Sequence, residues 1–138
     1  MKIVVTGGTG YIGSHTVVEL QSNGYEVIVI DNLSNSYENV LDKIAKITGI
    51  RPQFEMIDLS DPLPTAVFFR QNPGIKAVIH FAAFKAVGES VENPLKYYRN
   101  NLVSLINILQ GLSDNGIRNF VFSSSCTVYG QPDELPVK

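Results

Sequence analysis

Four glycines crowd into one short stretch, Thr6-Gly7-Gly8-Thr9-Gly10-Tyr11-Ile12-Gly13, and an acidic residue, Asp31, closes the next apolar run. Glycines in such a turn let the backbone fold tightly and approach a pyrophosphate, and a helix that begins there directs unpaired N–H groups at the charge. Asp31 stands where a carboxylate meets the hydroxyls of an adenosine ribose. The chemistry suggested by these residue types is the holding of a dinucleotide. Two spacings fit at once: Gly7, Gly10 and Gly13 read as G-x-x-G-x-x-G, and Gly8, Gly10 and Gly13 as G-x-G-x-x-G. A triphosphate-binding loop would need Lys and then Ser or Thr after its last glycine, whereas Ser14-His15 follow Gly13.

Further polar groups gather after the other apolar runs. Asp31 is succeeded by Asn32, Leu33, Ser34, Asn35 and Ser36, with no Arg or Lys to neutralise a ribose 2′-phosphate, which favours NAD over NADP. Asp58-Leu59 offers a carboxylate and an apolar side chain to an adenine edge, or simply a turn-forming Asp. Phe81-Ala82-Ala83-Phe84-Lys85 keeps small residues where backbone must approach a cofactor and adds one cation, which read alone is equally a solvated surface charge. Ser123-Ser124-Ser125 and the residues to Gly130 cluster hydroxyls that either form turns or meet a substrate. The chain holds no G-x-S-x-G elbow for a hydrolase serine. His80 reads as a core histidine, Cys126 as a structural thiol, and neither histidine nor cysteine spacing suggests a metal site.

These groups need a scaffold that brings them to one edge. Apolar runs at residues 3–5, 26–30, 54–57, 76–81 and 119–122 are short and nearly continuous, as in strands covered on both faces. Helical stretches separate them. One runs from Tyr11 to Asn23 before Gly24, another from Ser36 to Thr48 before Gly49, and a third is opened by Pro62 and Pro64. The fourth crossover is capped by Asn93, started by Pro94 and continues to about Asn115. On it Leu95, Tyr98, Leu102, Leu105, Leu109 and Leu112 make one apolar face, with Val103, Ile106 and Ile108 beyond it. Such a helix covers the sheet and also meets a second helix or subunit, or else presents one wide core-facing stripe. Strand and helix alternation with right-handed crossovers predicts a Rossmann-type α/β fold, a doubly wound parallel sheet of order 3-2-1-4-5. Ligands collect at the carboxyl ends of its strands, near the switch between strands 1 and 4.

Composition narrows the setting. With 138 residues and 44% hydrophobic content the chain fits one domain, residues 1–138, and excludes disordered and fibrous classes. A formal charge of −2 without a basic run gives no electrostatic reason to expect nucleic acid or an anionic membrane. One cysteine, no signal-peptide pattern and no apolar stretch near the ~20 residues of a membrane span make the cytoplasm the expected location.

Taken together, four blocks carry a family resemblance. Thr6-Gly7-Gly8-Thr9-Gly10-Tyr11-Ile12-Gly13-Ser14-His15-Thr16, Asp31 to Ser36, Lys85-Ala86-Val87-Gly88-Glu89-Ser90, and Phe122-Ser123-Ser124-Ser125 with Thr127-Val128-Tyr129-Gly130 occur in order over nearly the whole chain. In them the sequence resembles the extended short-chain dehydrogenase/reductase family and, within it, the UDP-glucose 4-epimerases. The lysine block separates these epimerases from related nucleotide-sugar dehydratases. The resemblance favours Gly7, Gly10 and Gly13 as the operative glycines. It implies that Tyr11, Ile12, Asp31, Asn32, Leu33, Ser34, Asn35, Ser36, Asp58, Leu59, Phe81, Ala82, Ala83, Phe84, Lys85 and Asn100 line a bound NAD.

It also implies that Ser125 hydrogen-bonds a UDP-sugar near its C4 hydroxyl, and that the parent enzyme interconverts UDP-galactose and UDP-glucose through a 4-keto intermediate. A homodimer through the 94–115 helix is implied as well. Ala83 and Phe84 stand where the family commonly has Gly-Leu, and Cys126 where it commonly has Ala. No Y-x-x-x-K occurs in the chain, and Tyr129 is followed four residues later by Asp133. The resemblance therefore implies the amino-terminal part of an epimerase, lacking its sixth strand and substrate-binding region and inactive by itself. A non-catalytic NAD-binding module and a related 4,6-dehydratase are the alternatives.

Overall fold

A computed structural model describes residues 1–125 together with Val128 and Gly130. Five strands, β1 (Lys2–Thr6), β2 (Glu26–Asp31), β3 (Gln53–Met56), β4 (Ile75–His80) and β5 (Asn119–Phe122), pair in parallel in the order β3-β2-β1-β4-β5. This is the expected doubly wound sheet. Alternation of side chains along the strands divides the core between its two faces. Ile3, Val5, Val27 and Val29 pack with Val17, Leu41 and Ile44 on one face. Val4, Ile28, Ile30 and Val78 pack with Phe68, Phe69, Ile108 and Leu112 on the other. Both sets are buried, which is why the runs read as continuously apolar.

Helices α1 (Tyr11–Ser22), α2 (Asn39–Thr48) and α3 (Pro62–Gln71) occupy the first three crossovers. Helix α2 ends on Gly49 in the left-handed region, where only glycine is free of strain. It begins later than the expected Ser36, because Ser36 is held by hydrogen bonds to Thr9 and Asp31 and so belongs to the loop. Helix α3 is capped by Asp61, whose carboxylate accepts from the Leu63 N–H at 3.1 Å, with Pro62 at its first position.

The fourth crossover departs from a single helix over residues 94–115. It contains α4 (Val87–Glu92), α5 (Pro94–Tyr98), a π-helical turn over Arg99–Val103, and α6 (Ser104–Asp114). Asn93 holds the cap position of α5 but makes no side-chain capping bond. The wider turn shifts every later position around the axis, so a count of 3.6 misplaces the faces. Tyr97, Ser104, Ile108, Gly111 and Leu112 are buried, whereas Leu95, Tyr98, Leu102, Ile106 and Leu109 are exposed. The face expected from Leu95, Tyr98, Leu102, Leu105, Leu109 and Leu112 is thus split: Leu95, Tyr98, Leu102 and Leu109 point outward, Leu105 is half-buried and Leu112 reaches the core. Helices α3 and α6 approach closely at Gly111, where an added Cβ would stand 2.2 Å from the Phe69 ring.

Candidate functional site

A cleft of about 350 Å³ opens at the carboxyl ends of the strands, over the boundary between β1 and β4. The switch point creates it: α1 leaves β1 toward one face and the β4 crossover leaves toward the other, so their loops part. Its floor is the glycine turn. Gly7 has φ +68°, and a Cβ there would stand 2.8 Å from the backbone N of Ala82. A Cβ on Gly13 would lie 2.1 Å from the Gly7 carbonyl oxygen. Gly8 does not line the cleft, yet its missing Cβ leaves room for Val29, which would otherwise be 2.7 Å away. Both spacings in the sequence therefore have a physical basis. Gly7, Gly10 and Gly13 face the cleft, and Gly8 permits packing on β2.

Helix α1 opens at this floor with Gly10 as its cap residue. No side chain caps it, and no acidic residue occupies its first turn. Its leading N–H groups and partial positive charge consequently remain directed at the cleft. In α3, by contrast, the Asp61 carboxylate occupies the equivalent position.

The β2 end supplies the second wall. Asp31 Oδ1 accepts from the Leu33 N–H at 2.9 Å and from Ser36 Oγ at 3.3 Å, while Oδ2 accepts from the Thr9 N–H at 3.3 Å. Thr9 Oγ1 and Ser36 Oγ lie 2.6 Å apart. The carboxylate thus pins the glycine turn to the β2 loop and retains acceptor capacity, since an ionised carboxyl offers about four lone-pair sites. Leu33 stands apart from Asn32, Ser34, Asn35 and Ser36, which line the cleft. It does not line the cleft, and its side chain branches from a left-handed backbone at φ 57°, held by the Asp31 bond.

Asp58 lines the cleft and is also a turn former: its Oδ1 accepts from Ser60 N at 2.9 Å and Ser60 Oγ at 2.6 Å. Those bonds, the Ser60 hydroxyl first, hold its carboxyl below the usual range. The third wall comes from the β4 end, where Phe81 to Lys85 all line the cleft. Lys85 is exposed there and forms no ion pair with a described residue. Behind it, His80 is buried. Its Nδ1 and Thr6 Oγ1 are hydrogen-bonded at 2.6 Å, and its ring stacks near Phe120 and Phe122. Burial lowers its pKa to about 4, so it is a neutral core residue.

Asn100 joins the cleft from the π-turn. Ile57, Ala86 and Ser104 line it too and were missed by sequence reasoning. Ser104 lies four residues after Asn100, so helical spacing was the signal that pointed to it. Ser125 follows β5 and is not part of the cleft lining. Cys126, Thr127 and Tyr129 lie outside the described residues. No group of metal-binding side chains occurs among the described residues.

Residues 3–138 match the NAD dependent epimerase/dehydratase family. The chain belongs to that family. It is 51% identical over 137 residues to a UDP-glucose 4-epimerase of Bacillus subtilis, covering 99% of this chain and 40% of that protein. It is 48% identical over 142 residues to the mouse UDP-glucose 4-epimerase, covering 99% and 41%. A UDP-glucose 4-epimerase of Stenotrophomonas maltophila, crystallised with NAD and formylated UDP-arabinopyranose, superposes with a TM-score of 0.93 at 46% identity, over 99% of this chain and 40% of that one. The Bifidobacterium longum enzyme in complex with NAD⁺ and UDP gives 0.93 at 43%, over 99% and 41%. This family member thus spans about 40% of the length of those relatives.

Proposed function

We propose that this chain is the NAD-binding portion of a UDP-glucose 4-epimerase. The observation that carries the reading is the cleft itself, where an uncapped helix start, glycines without room for a Cβ and the Asp31 carboxylate meet at one switch point. The residues fit a dinucleotide. The pyrophosphate belongs over Gly10 to Gly13, the adenosine ribose against Asp31, and the second half of the cofactor along Phe81 to Lys85.

When bound, NAD supplies a hydride acceptor for the sugar's C4 and a donor for its return. The residues of this chain bind and orient it: Asp31 accepts ribose hydroxyls, Lys85 places a positive charge at the cleft mouth, and Asn100 contributes an amide. Ser125 hydrogen-bonds the sugar hydroxyl at the reacting carbon. The tyrosine that takes the hydroxyl proton, and its lysine, belong to a Y-x-x-x-K segment that this chain does not contain.

The exposed stripe of Leu95, Tyr98, Leu102, Ile106 and Leu109 supports homodimerisation through this helix. The single cysteine supports a cytoplasmic location. Expression of the complete reading frame tests the function. It should convert UDP-galactose to UDP-glucose without added NAD, and replacing its Y-x-x-x-K tyrosine by Phe should abolish turnover. A complete protein that binds NAD but leaves UDP-galactose unchanged would overturn the epimerase reading.

A further inference from the structure

The segment joining β4 to α4 forms one wall of the cleft, yet Phe84 lies beyond the end of β4 and has no strand partner for its peptide groups. A side chain supplies one. Asn101 Oδ1 accepts from the Phe84 N–H at 2.9 Å, and Asn101 Nδ2 donates to the Phe84 carbonyl at 3.1 Å. Only one orientation of the amide satisfies both bonds. With its oxygen so placed, Asn101 also accepts from Asn100 Nδ2 at 2.9 Å. Phe84 and Asn100 both line the cleft, and Asn101 does not.

We propose that Asn101 is a positioning residue: its amide fixes the Phe84–Lys85 wall and the Asn100 side chain in one arrangement before a dinucleotide arrives. The π-helical turn makes this possible by placing consecutive asparagines beside the cleft, a use to which such wide turns are often put. A second tether holds the far end of the same segment. Glu89 accepts from Tyr97 Oη at 2.7 Å and pairs with Lys96. The Phe84 ring lies 5.7 Å from that of Tyr97, with Lys96 Nζ 5.0 Å from its centroid. Residues 84 to 89 are therefore tied at both ends to the helical stretch 96–101. Glu89, a member of the lysine block, thereby holds the loop that carries Lys85. Ordering is completed on folding, so binding does not bear that entropic cost.

The inference rests on the NAD reading and adds a direction to it. Asp31 and the β2 end serve the adenosine half, and the β4 end serves the other half. Calorimetric titration of the chain with NAD and with AMP, for the wild type, Asn101→Asp and Glu89→Gln, tests it. Amide exchange at Phe84 is followed by NMR in parallel. Asn101→Asp keeps an acceptor for the Phe84 N–H but sets a carboxylate oxygen against the Phe84 carbonyl.

We expect Asn101→Asp to bind NAD roughly tenfold more weakly, to bind AMP unchanged, and to exchange the Phe84 amide faster. Glu89→Gln should show the same pattern with a roughly twofold loss, as for a partly exposed ion pair, and carries the test if Asn101→Asp does not fold. Unchanged NAD affinity, or equal loss for NAD and AMP, would overturn the positioning role. A wild-type chain that binds neither ligand would overturn the cofactor reading first, and unaltered Phe84 exchange would still refute the tether.

Discussion

Acidification should destabilise this domain through one histidine well before its carboxylates matter. His80 has a folded-state pKa near 4 against an ordinary 6.5, because burial beside Phe120 and Phe122 disfavours the imidazolium. Its ring Nδ1 lies 2.6 Å from the Thr6 hydroxyl, a hydrogen bond that a neutral imidazole makes without any countercharge. Below pH 6.5 the unfolded chain binds a proton that the folded chain refuses, so stability is full above pH 6.5 and falls as the pH drops toward 4. Linkage over that interval gives a total of about 3 kcal/mol, of which about 2 kcal/mol is lost between pH 7 and pH 5. For a domain of this size that is a fall in Tm of about 6 °C. Asp58 and Glu89, whose pKa values are lowered from 3.8 and 4.5, contribute stability that is lost only at still lower pH. Thermal unfolding from pH 7 to pH 5 should therefore show the slope in the wild type and lose most of it in His80→Gln, which keeps a hydrogen-bonding group for Thr6 but does not titrate. An equal slope in both proteins would refute the assignment.

Other perturbations follow from the same geometry. Gly13→Ala places a Cβ 2.1 Å from the Gly7 carbonyl; it should abolish detectable NAD binding in calorimetry and cost about 1–3 kcal/mol in urea denaturation. Gly111→Ala drives a methyl group into the Phe69 ring at 2.2 Å, and should cost a similar ~1–3 kcal/mol with little change in NAD affinity. Sedimentation velocity of the 138-residue chain should reveal association, because Val121 and Phe122 on edge strand β5 and the Leu95–Leu109 stripe are exposed. A monodisperse monomer would contradict that expectation.

Strand positions were legible because both sheet faces are covered, so apolar runs such as Val27 to Ile30 announce themselves without alternation. The glycine turn was equally plain, though the need for Gly8 depends on Val29, a neighbour twenty-one residues away that spacing cannot show. Short α4 escaped notice because none of its residues is buried, leaving no periodic signal. The π-turn was invisible for another reason. Its sequence, Arg99-Asn100-Asn101-Leu102-Val103, continues a helical pattern, and the extra residue in the turn betrays itself only through which side chains reach the core. Contacts such as Thr9 with Ser36 and Asn101 with Phe84 join residues far apart in sequence, and polar pairs of that kind carry no periodicity at all.

The central claim, that the cleft between β1 and β4 is built for NAD, is tested most directly by titrating the 138-residue chain with NAD and NADP in a calorimeter. With the Asp31 carboxylate lining the cleft and no Arg or Lys between residues 31 and 36, NAD should bind and NADP should bind at least roughly tenfold more weakly. Equal affinities, or no heat with either nucleotide from a folded sample, would contradict it.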